Sequence, residues 1–229
     1  MQVEGETRLE VIGYQGGKLF TPAVVALCGL HIAGFVIPVL ATSSFGAEFV
    51  ALFGLEPGAV FGRLRIWQLV THSMLYPTMC LAWTLAGTLV LLLFFGSRIE
   101  REWGTKRFGL FYVAMAAAAG LVRAIPEFGG SQMIVGSLGV VCALLGAYGV
   151  LFRGERASLL VSSVRVPHLV LGLLAILLLL NIQPPANALW LSGALFGLIY
   201  TRAWLKWERR RVRPHPADSD RFSQIDLGD

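Results

Sequence analysis

Six long apolar runs, separated by charged segments, constrain the fold of this chain more than any other feature. A bilayer core needs about 20 apolar residues per helix, or fewer where polar ends reach into the interface. Only 14% of the 229 residues are charged, against roughly a quarter in a soluble domain. The sequence therefore predicts an all-α integral membrane protein. Its six predicted spans are Pro22–Leu40, Met79–Phe95, Phe108–Val122, Met133–Phe152, Val166–Ile182 and Ala186–Trp204.

The basic residues predict which side of the membrane the two ends face. If both termini lie inside, 16 of the 19 Lys and Arg residues fall in inner segments, and only Arg63, Arg65 and Arg123 lie outside. Cytoplasmic segments carry such an excess, so we expect cytoplasmic N and C termini. The net charge of +5 then needs no nucleic-acid partner. A bacterial cytoplasmic membrane is the simplest location, and an ER or Golgi membrane is expected for a eukaryotic chain.

The polar segments divide the chain into three parts. Residues 1–20 form a cytoplasmic N-terminal segment, residues 21–204 a six-span membrane domain, and residues 205–229 a basic and then disordered cytoplasmic tail. The outer loop at 43–66 is apolar enough to be an interfacial segment, and it equally suits a loop folded back onto the helices. In the tail, Lys206–Arg213 is a candidate site for anionic lipid, although the same residues suit the stop-transfer end of the last span.

Groups for metal, redox or ion-transport chemistry are scarce in the sequence. The three cysteines lie in or beside apolar runs, and no Cys and His spacing suits a metal. The predicted spans contain no carboxylate, which argues against an ion or proton route. We therefore expect no metal and no cofactor, and we rank a channel or transporter last.

Small residues recur at helical spacing in the fourth and sixth runs. Apolar contact alone does not hold helices together in lipid, whereas glycine and alanine allow close backbone approach. The two helices are therefore predicted to pack directly on each other. The residues of this predicted packing motif are Gly136, Gly139, Ala143, Gly146, Gly193 and Gly197.

Four short motifs follow one another in the order of a known membrane family. They are W-Q-L-V-T from Trp67, E-R-E-W-G-T with Glu100, Arg101 and Gly104, G-S-L-G at 136–139, and W-L-S-G-A-L-F-G at 190–197. With these landmarks and the predicted sidedness, the chain resembles the rhomboid intramembrane serine proteases from residue 21 to residue 202. The resemblance implies a six-helix rhomboid-like bundle.

The same resemblance implies that the catalytic groups are missing. Rhomboids use a serine on the fourth helix, a histidine on the sixth, and oxyanion donors on the second. The matching positions here are Leu138, Trp190, Leu81 and Leu85. Tyr76 stands where the family usually has a further histidine. Inactive rhomboid-like proteins and derlins engage transmembrane segments without cutting them. We therefore expect a pseudoprotease that binds unidentified transmembrane clients between its second and fifth helices.

An active serine endopeptidase with a non-standard site is the alternative. It would use Ser137 as nucleophile and His72, which the sequence places at the outer level, as base. Because one residue turns a helix by about 100°, Ser137 should point away from the sixth helix. We interpret Ser137 as a packing residue and His31 as a buried hydrogen-bonding partner.

Overall fold

A helical bundle with one short hairpin accounts for the residues that the computed structural model describes, namely 20–41, 43–76, 82–158, 163–180 and 191–211. The helices are α1 (Pro22–Leu40), α2 (Ser43–Phe53), α3 (Pro57–Arg63), α4 (Gln68–Thr71), α5 (Ala82–Leu91), α6 (Ser97–Trp103), α7 (Thr105–Ala124), α8 (Leu138–Leu151), α9 (Val166–Leu180) and α10 (Ser192–Arg211). A 3-10 turn, His72–Met74, follows α4. Antiparallel strands β1 (Arg156–Ser158) and β2 (Ser163–Arg165) join α8 to α9 and add a small sheet to the predicted all-α fold.

Each of the six predicted spans has a helix in the structure, and three of the helical segments are long and apolar enough to cross a membrane. These are Pro22–Leu40, Ala82–Trp103 and Thr105–Ala124. The second joins α5 to α6 through a π-helical turn at Leu92–Gly96. Over the described ranges, α8 and α9 are apolar but shorter. The chain is a helical membrane protein.

The fourth helix begins later than the sequence predicts. The predicted span starts at Met133, whereas α8 starts at Leu138. Ile134 forms a β-bridge with Leu55, with N–O distances of 3.0 and 2.8 Å, and this pairing keeps the backbone extended. Gly136 then has φ +109°, a conformation that glycine adopts without steric cost. Gly136 therefore lies outside the helix and is not part of the small-residue stripe predicted for it.

The core of the bundle is built around α7 and α8. Every residue from Val140 to Tyr148 is buried, so α8 is enclosed on all sides along this stretch. Phe108, Phe111 and Tyr112 of α7 are also almost fully buried. α8, which begins at Leu138, therefore lies inside the bundle.

The outer loop folds back onto the bundle as two helices. Leu55 between them is fully buried, and Val60 of α3 is 4% exposed. Phe45 and Leu52 of α2 remain largely exposed, so the loop also keeps an apolar outer face. The buried residues fit the prediction of a loop folded back onto the helices. The exposed apolar face of α2 also suits a segment at the membrane interface.

The last helix continues beyond the predicted end of the span. The predicted span stops at Trp204, whereas α10 runs through the basic stretch to Arg211. The predicted N-terminal segment up to residue 19, and the tail from residue 212, lie outside the described residues.

Candidate functional site

Two of the four positions where the resembled family has catalytic groups are described. Leu138 is the first residue of α8 and is half-buried, and Leu85 lies buried on α5. Neither side chain has a polar atom, so neither can act as nucleophile or stabilise an oxyanion. Leu81 and Trp190 lie outside the described residues.

Ser137, next to the nucleophile position, is held in a buried contact between α8 and α5. Its side chain is 1% exposed, and its Oγ lies 2.6 Å from Oγ1 of Thr88. Thr88 in turn lies 2.8 Å from the carbonyl oxygen of Thr84 and donates to it. Ser137 and Thr88 therefore share one hydrogen bond, and Thr88 also bonds along its own helix. This arrangement occupies the serine hydroxyl in helix packing.

His72, the base of the alternative site, is buried and neutral. Its Nδ1 lies 3.0 Å from the Gln68 carbonyl oxygen, to which it donates. Burial lowers the pKa of His72 to about 4, so the imidazole carries no charge at neutral pH. The Gly136 amide donates to the His72 carbonyl oxygen at 3.0 Å, which brings the backbones of the two segments together. Among the described residues, the hydrogen bonds of the Ser137 and His72 side chains go to other partners.

The first three turns of α8 touch α10 through glycine. A Cβ built on Gly193 would lie 1.9 Å from the Gly139 carbonyl oxygen, and one on Gly197 would lie 2.0 Å from that of Ala143. A Cβ on Gly146 would lie 2.2 Å from the carbonyl oxygen of Ala194. None of these distances tolerates a side chain, so the backbones of α8 and α10 are in direct contact. The glycines hold together the two helices that carry nucleophile and base in active rhomboids.

A second buried polar group lies near the contact between Ser137 and Thr88. His31 of α1 bridges two tyrosines, with Nδ1 2.8 Å from the Tyr76 hydroxyl and Nε2 2.7 Å from that of Tyr112. The hydroxyls of Ser137 and Thr88 are close enough to Tyr76 to interact with it. His31 is fully buried, which confirms its predicted role as a hydrogen-bonding partner. The polar groups of the region are thus satisfied by one another.

The segment that begins at Trp67 holds the end of α2. Gln68 donates from Nε2 to the carbonyl oxygens of Ala51 and Leu52, both at 3.2 Å. Thr71 donates to that of Phe53 at 2.6 Å, and the Trp67 indole donates to that of Leu52 at 3.0 Å. The last carbonyls of a helix lack partners within the helix. This segment supplies them and fixes the outer loop to the bundle.

Glu100 caps a helix that is distant in sequence. Its carboxylate accepts hydrogen bonds from the amides of Ala23 and Val24, both at 2.9 Å, and from the hydroxyl of Thr21 at 2.5 Å. A fourth comes from Thr105 at 2.8 Å. The N-terminus of α1 therefore has its first free amides satisfied by a negative charge, which its dipole favours. Gly104, at φ +79°, ends α6 and lets the chain turn into α7.

Comparison with known proteins agrees with this geometry. A model of the rhomboid domain matches residues 63–207. The chain belongs to the rhomboid family. It is also 27% identical over 222 residues to Transmembrane protein 115 of Mus musculus, an alignment that covers 91% of this chain. The chain spans 60% of the length of that mouse protein.

The contacts in the structure show what the motif residues do in this chain. Trp67, Glu100 and Gly104 serve the assembly of the bundle through the contacts described above. The sequence motifs located these residues, but they did not indicate which residues these would bond to. Within the described ranges, no group of three or more His, Cys, Asp or Glu side chains is placed to hold a metal ion.

Proposed function

We propose that this rhomboid-family protein binds transmembrane segments of other membrane proteins and does not cleave them. The observation that carries the proposal is Leu138 at the nucleophile position, beside a Ser137 whose hydroxyl is buried against Thr88. Nucleophilic catalysis needs an activated hydroxyl or thiol with a base in reach. The Ser137 hydroxyl lies against Thr88 and close to Tyr76, and neither a threonine nor a protonated tyrosine can remove its proton.

The apolar faces of the second and fifth spans support a lateral client site. Trp83 on α5 is 87% exposed and Ile176 on α9 is 52% exposed. A π-helical turn follows α5, and such turns are frequent at functional sites. In a membrane these faces meet lipid or another helix. A client segment would pack against them by van der Waals contact.

The six-span topology with cytoplasmic termini, and a bacterial cytoplasmic membrane or an ER or Golgi membrane, are parts of this proposal.

Site-specific photocrosslinking tests the binding role. A photoreactive phenylalanine analogue replaces Trp83 or Ile176, and a matched variant carries it at Leu110, a 66% exposed residue of α7. We expect adducts with intact membrane-spanning proteins from the first two positions and markedly fewer from Leu110. Equal recovery from all three positions, or no membrane-spanning partner from any, would contradict lateral client binding.

Active proteolysis through Ser137 and His72 remains the alternative function. The hydrogen bond between the backbones of Gly136 and His72 is the observation in its favour, because it keeps the two residues near each other. A serine-reactive probe separates the two functions, since only the alternative needs a reactive hydroxyl.

A further inference from the structure

A groove of about 880 Å³ opens between α8, α9 and α10. It lies where α8 ends, α9 begins and the basic half of α10 passes by. Its apolar lining comes from all three helices, and its basic lining comes from α10 and the turn after α8. The lining side chains that matter for the argument are Val150, Leu171, Leu174, Leu195 and Leu198, with Arg153, Arg202, Lys206 and Arg209 at the rim.

Small residues create the apolar floor of this groove. Gly146 and Gly149 of α8, and Ala194 of α10, line it with little side-chain volume. Leu171 and Leu195 project beside this floor and are 64% and 56% exposed. In a membrane protein, such a surface faces acyl chains. The volume falls within the range of about 300–1,000 Å³ typical of small-molecule sites.

The basic rim gathers positive charge at one end of the groove. Arg202, Lys206 and Arg209 follow each other at helical spacing and so share one face of α10. Arg153 approaches from the turn that follows α8. The ion pairs recorded over the described ranges join Arg98 to Glu155 and Arg107 to Glu208. These two neighbouring carboxylates are therefore engaged by other arginines.

On α10, three apolar lining residues precede the basic ones along the helix axis, and Leu205 lies among the basic ones. Ala194, Leu195 and Leu198 come before Arg202, and the basic residues follow over the next two turns. With a rise of 1.5 Å per residue, Leu195 and Arg209 are about 21 Å apart along the helix. A phospholipid has the same division, with acyl chains at one end and a charged phosphate at the other.

We propose that this groove binds one anionic glycerophospholipid from the surrounding bilayer. The phosphate and headgroup contact Arg153, Arg202, Lys206 and Arg209, and an acyl chain lies along the floor between α8, α9 and α10. Two of these four residues lie outside the Lys206–Arg213 stretch that the sequence indicates for lipid. The groove lies toward the end of α8, whereas the contact between Ser137 and Thr88 lies at its start. It shares α9 with the proposed client surface through Leu171 and Leu174.

Lipid titration followed by native mass spectrometry tests the site. The full chain in detergent is titrated with dioleoyl phosphatidylglycerol and, separately, with dioleoyl phosphatidylcholine. A variant with Arg153→Gln, Arg202→Gln, Lys206→Gln and Arg209→Gln removes the basic rim. Each basic residue near an anionic headgroup contributes about fivefold in affinity, so we expect this variant to lose at least about tenfold for phosphatidylglycerol and little for phosphatidylcholine.

Two further variants separate a built site from general surface charge. The charge-matched control carries Lys106→Gln, Arg156→Gln, Arg165→Gln and Arg210→Gln, four exposed residues outside the groove lining. We expect it to keep phosphatidylglycerol affinity within about twofold. Leu171→Trp fills the apolar part and should weaken binding of the same lipid.

Three results would overturn the proposal. Equal losses in the two charge variants would mean that only the overall charge matters. Unchanged affinity in Leu171→Trp would mean that the groove holds no acyl chain. Equal affinity of the native chain for the two lipids would mean that the rim does not select a negative headgroup. If the fourfold rim variant does not fold, Arg202→Gln with Lys206→Gln serves in its place, with the expected loss reduced accordingly.

Discussion

The hydroxyl oxygens of Ser137 and Thr88 lie 2.6 Å apart, across the contact between α8 and α5. Ser137 is 1% exposed and Thr88 is 3% exposed. In the rhomboid family the residue after Ser137 would be the nucleophile, and here it is leucine. The serine that remains joins two helices. Its hydroxyl therefore contributes to stability.

Removing this hydrogen bond should destabilise the bundle. Ser137→Ala leaves the Thr88 hydroxyl without this partner, and we expect a loss of about 1–2 kcal/mol. Thr88→Val should cost a similar amount. The double variant should cost less than the sum, because each single change already removes the shared bond. Reversible unfolding in mixed micelles measures all three, and strict additivity would contradict the structural role of Ser137.

Loss of the Glu100 carboxylate should have a larger effect. Four hydrogen bonds converge on this carboxylate. Glu100→Ala leaves the first amides of α1 without a partner, which we expect to cost about 3 kcal/mol or more. Glu102→Ala, at an exposed position two residues later, is the control. The melting temperature in detergent should drop clearly for the first variant only, and equal melting temperatures would refute the capping role.

Alanine substitutions at a tightly packed glycine and at an open one should change stability in opposite directions. A Cβ at Gly193 would meet a backbone oxygen of α8 at 1.9 Å, whereas one at Gly109 of α7 meets nothing within 4 Å. Gly193→Ala should therefore cost about 1–3 kcal/mol through overpacking. Gly109→Ala should be neutral or gain up to about 1 kcal/mol from helix propensity. Thermal unfolding of both variants checks this, and a stable Gly193→Ala protein would mean that α8 and α10 are further apart.

The outer loop should loosen when its hydrogen bonds from Gln68 are removed. Gln68→Ala removes its hydrogen bonds to the carbonyls of Ala51 and Leu52, and also the bond from the amide of Glu56, which donates to Gln68 Oε1 at 3.2 Å. Three bonds at about 0.5–1.5 kcal/mol each predict at least about tenfold faster hydrogen exchange over residues 44–63. Arg63→Ala, at an exposed position, is the control. Hydrogen exchange as slow as in the native chain would show that the hydrogen bonds of Gln68 do not hold the outer loop in place.

The sequence located the long apolar helices because their signal is local. The run at 22–40 is apolar apart from His31, and it forms α1 with the predicted bounds. The start of α8 could not be predicted in this way. It is set by the bridge between Leu55 and Ile134, two residues far apart in the chain, and by the positive φ of Gly136.

The candidate site was predictable only where a motif marks it. Family motifs pointed to Leu138, Glu100 and Trp67. They did not reveal that Glu100 caps α1, because its partners lie 76–79 residues away in sequence. The contact between Ser137 and Thr88 joins residues 49 positions apart and has no local pattern. Such pairings arise from helix packing, which a single sequence does not specify.

A fluorophosphonate probe and a generic rhomboid transmembrane substrate test the central claim most directly. The purified chain is compared with Ser137→Ala under the same conditions. Since Leu138 has no nucleophilic group and the Ser137 hydroxyl is buried against Thr88, we expect neither labelling nor cleavage in either protein. Labelling and cleavage that Ser137→Ala abolishes would contradict the non-proteolytic role and establish Ser137 as a nucleophile.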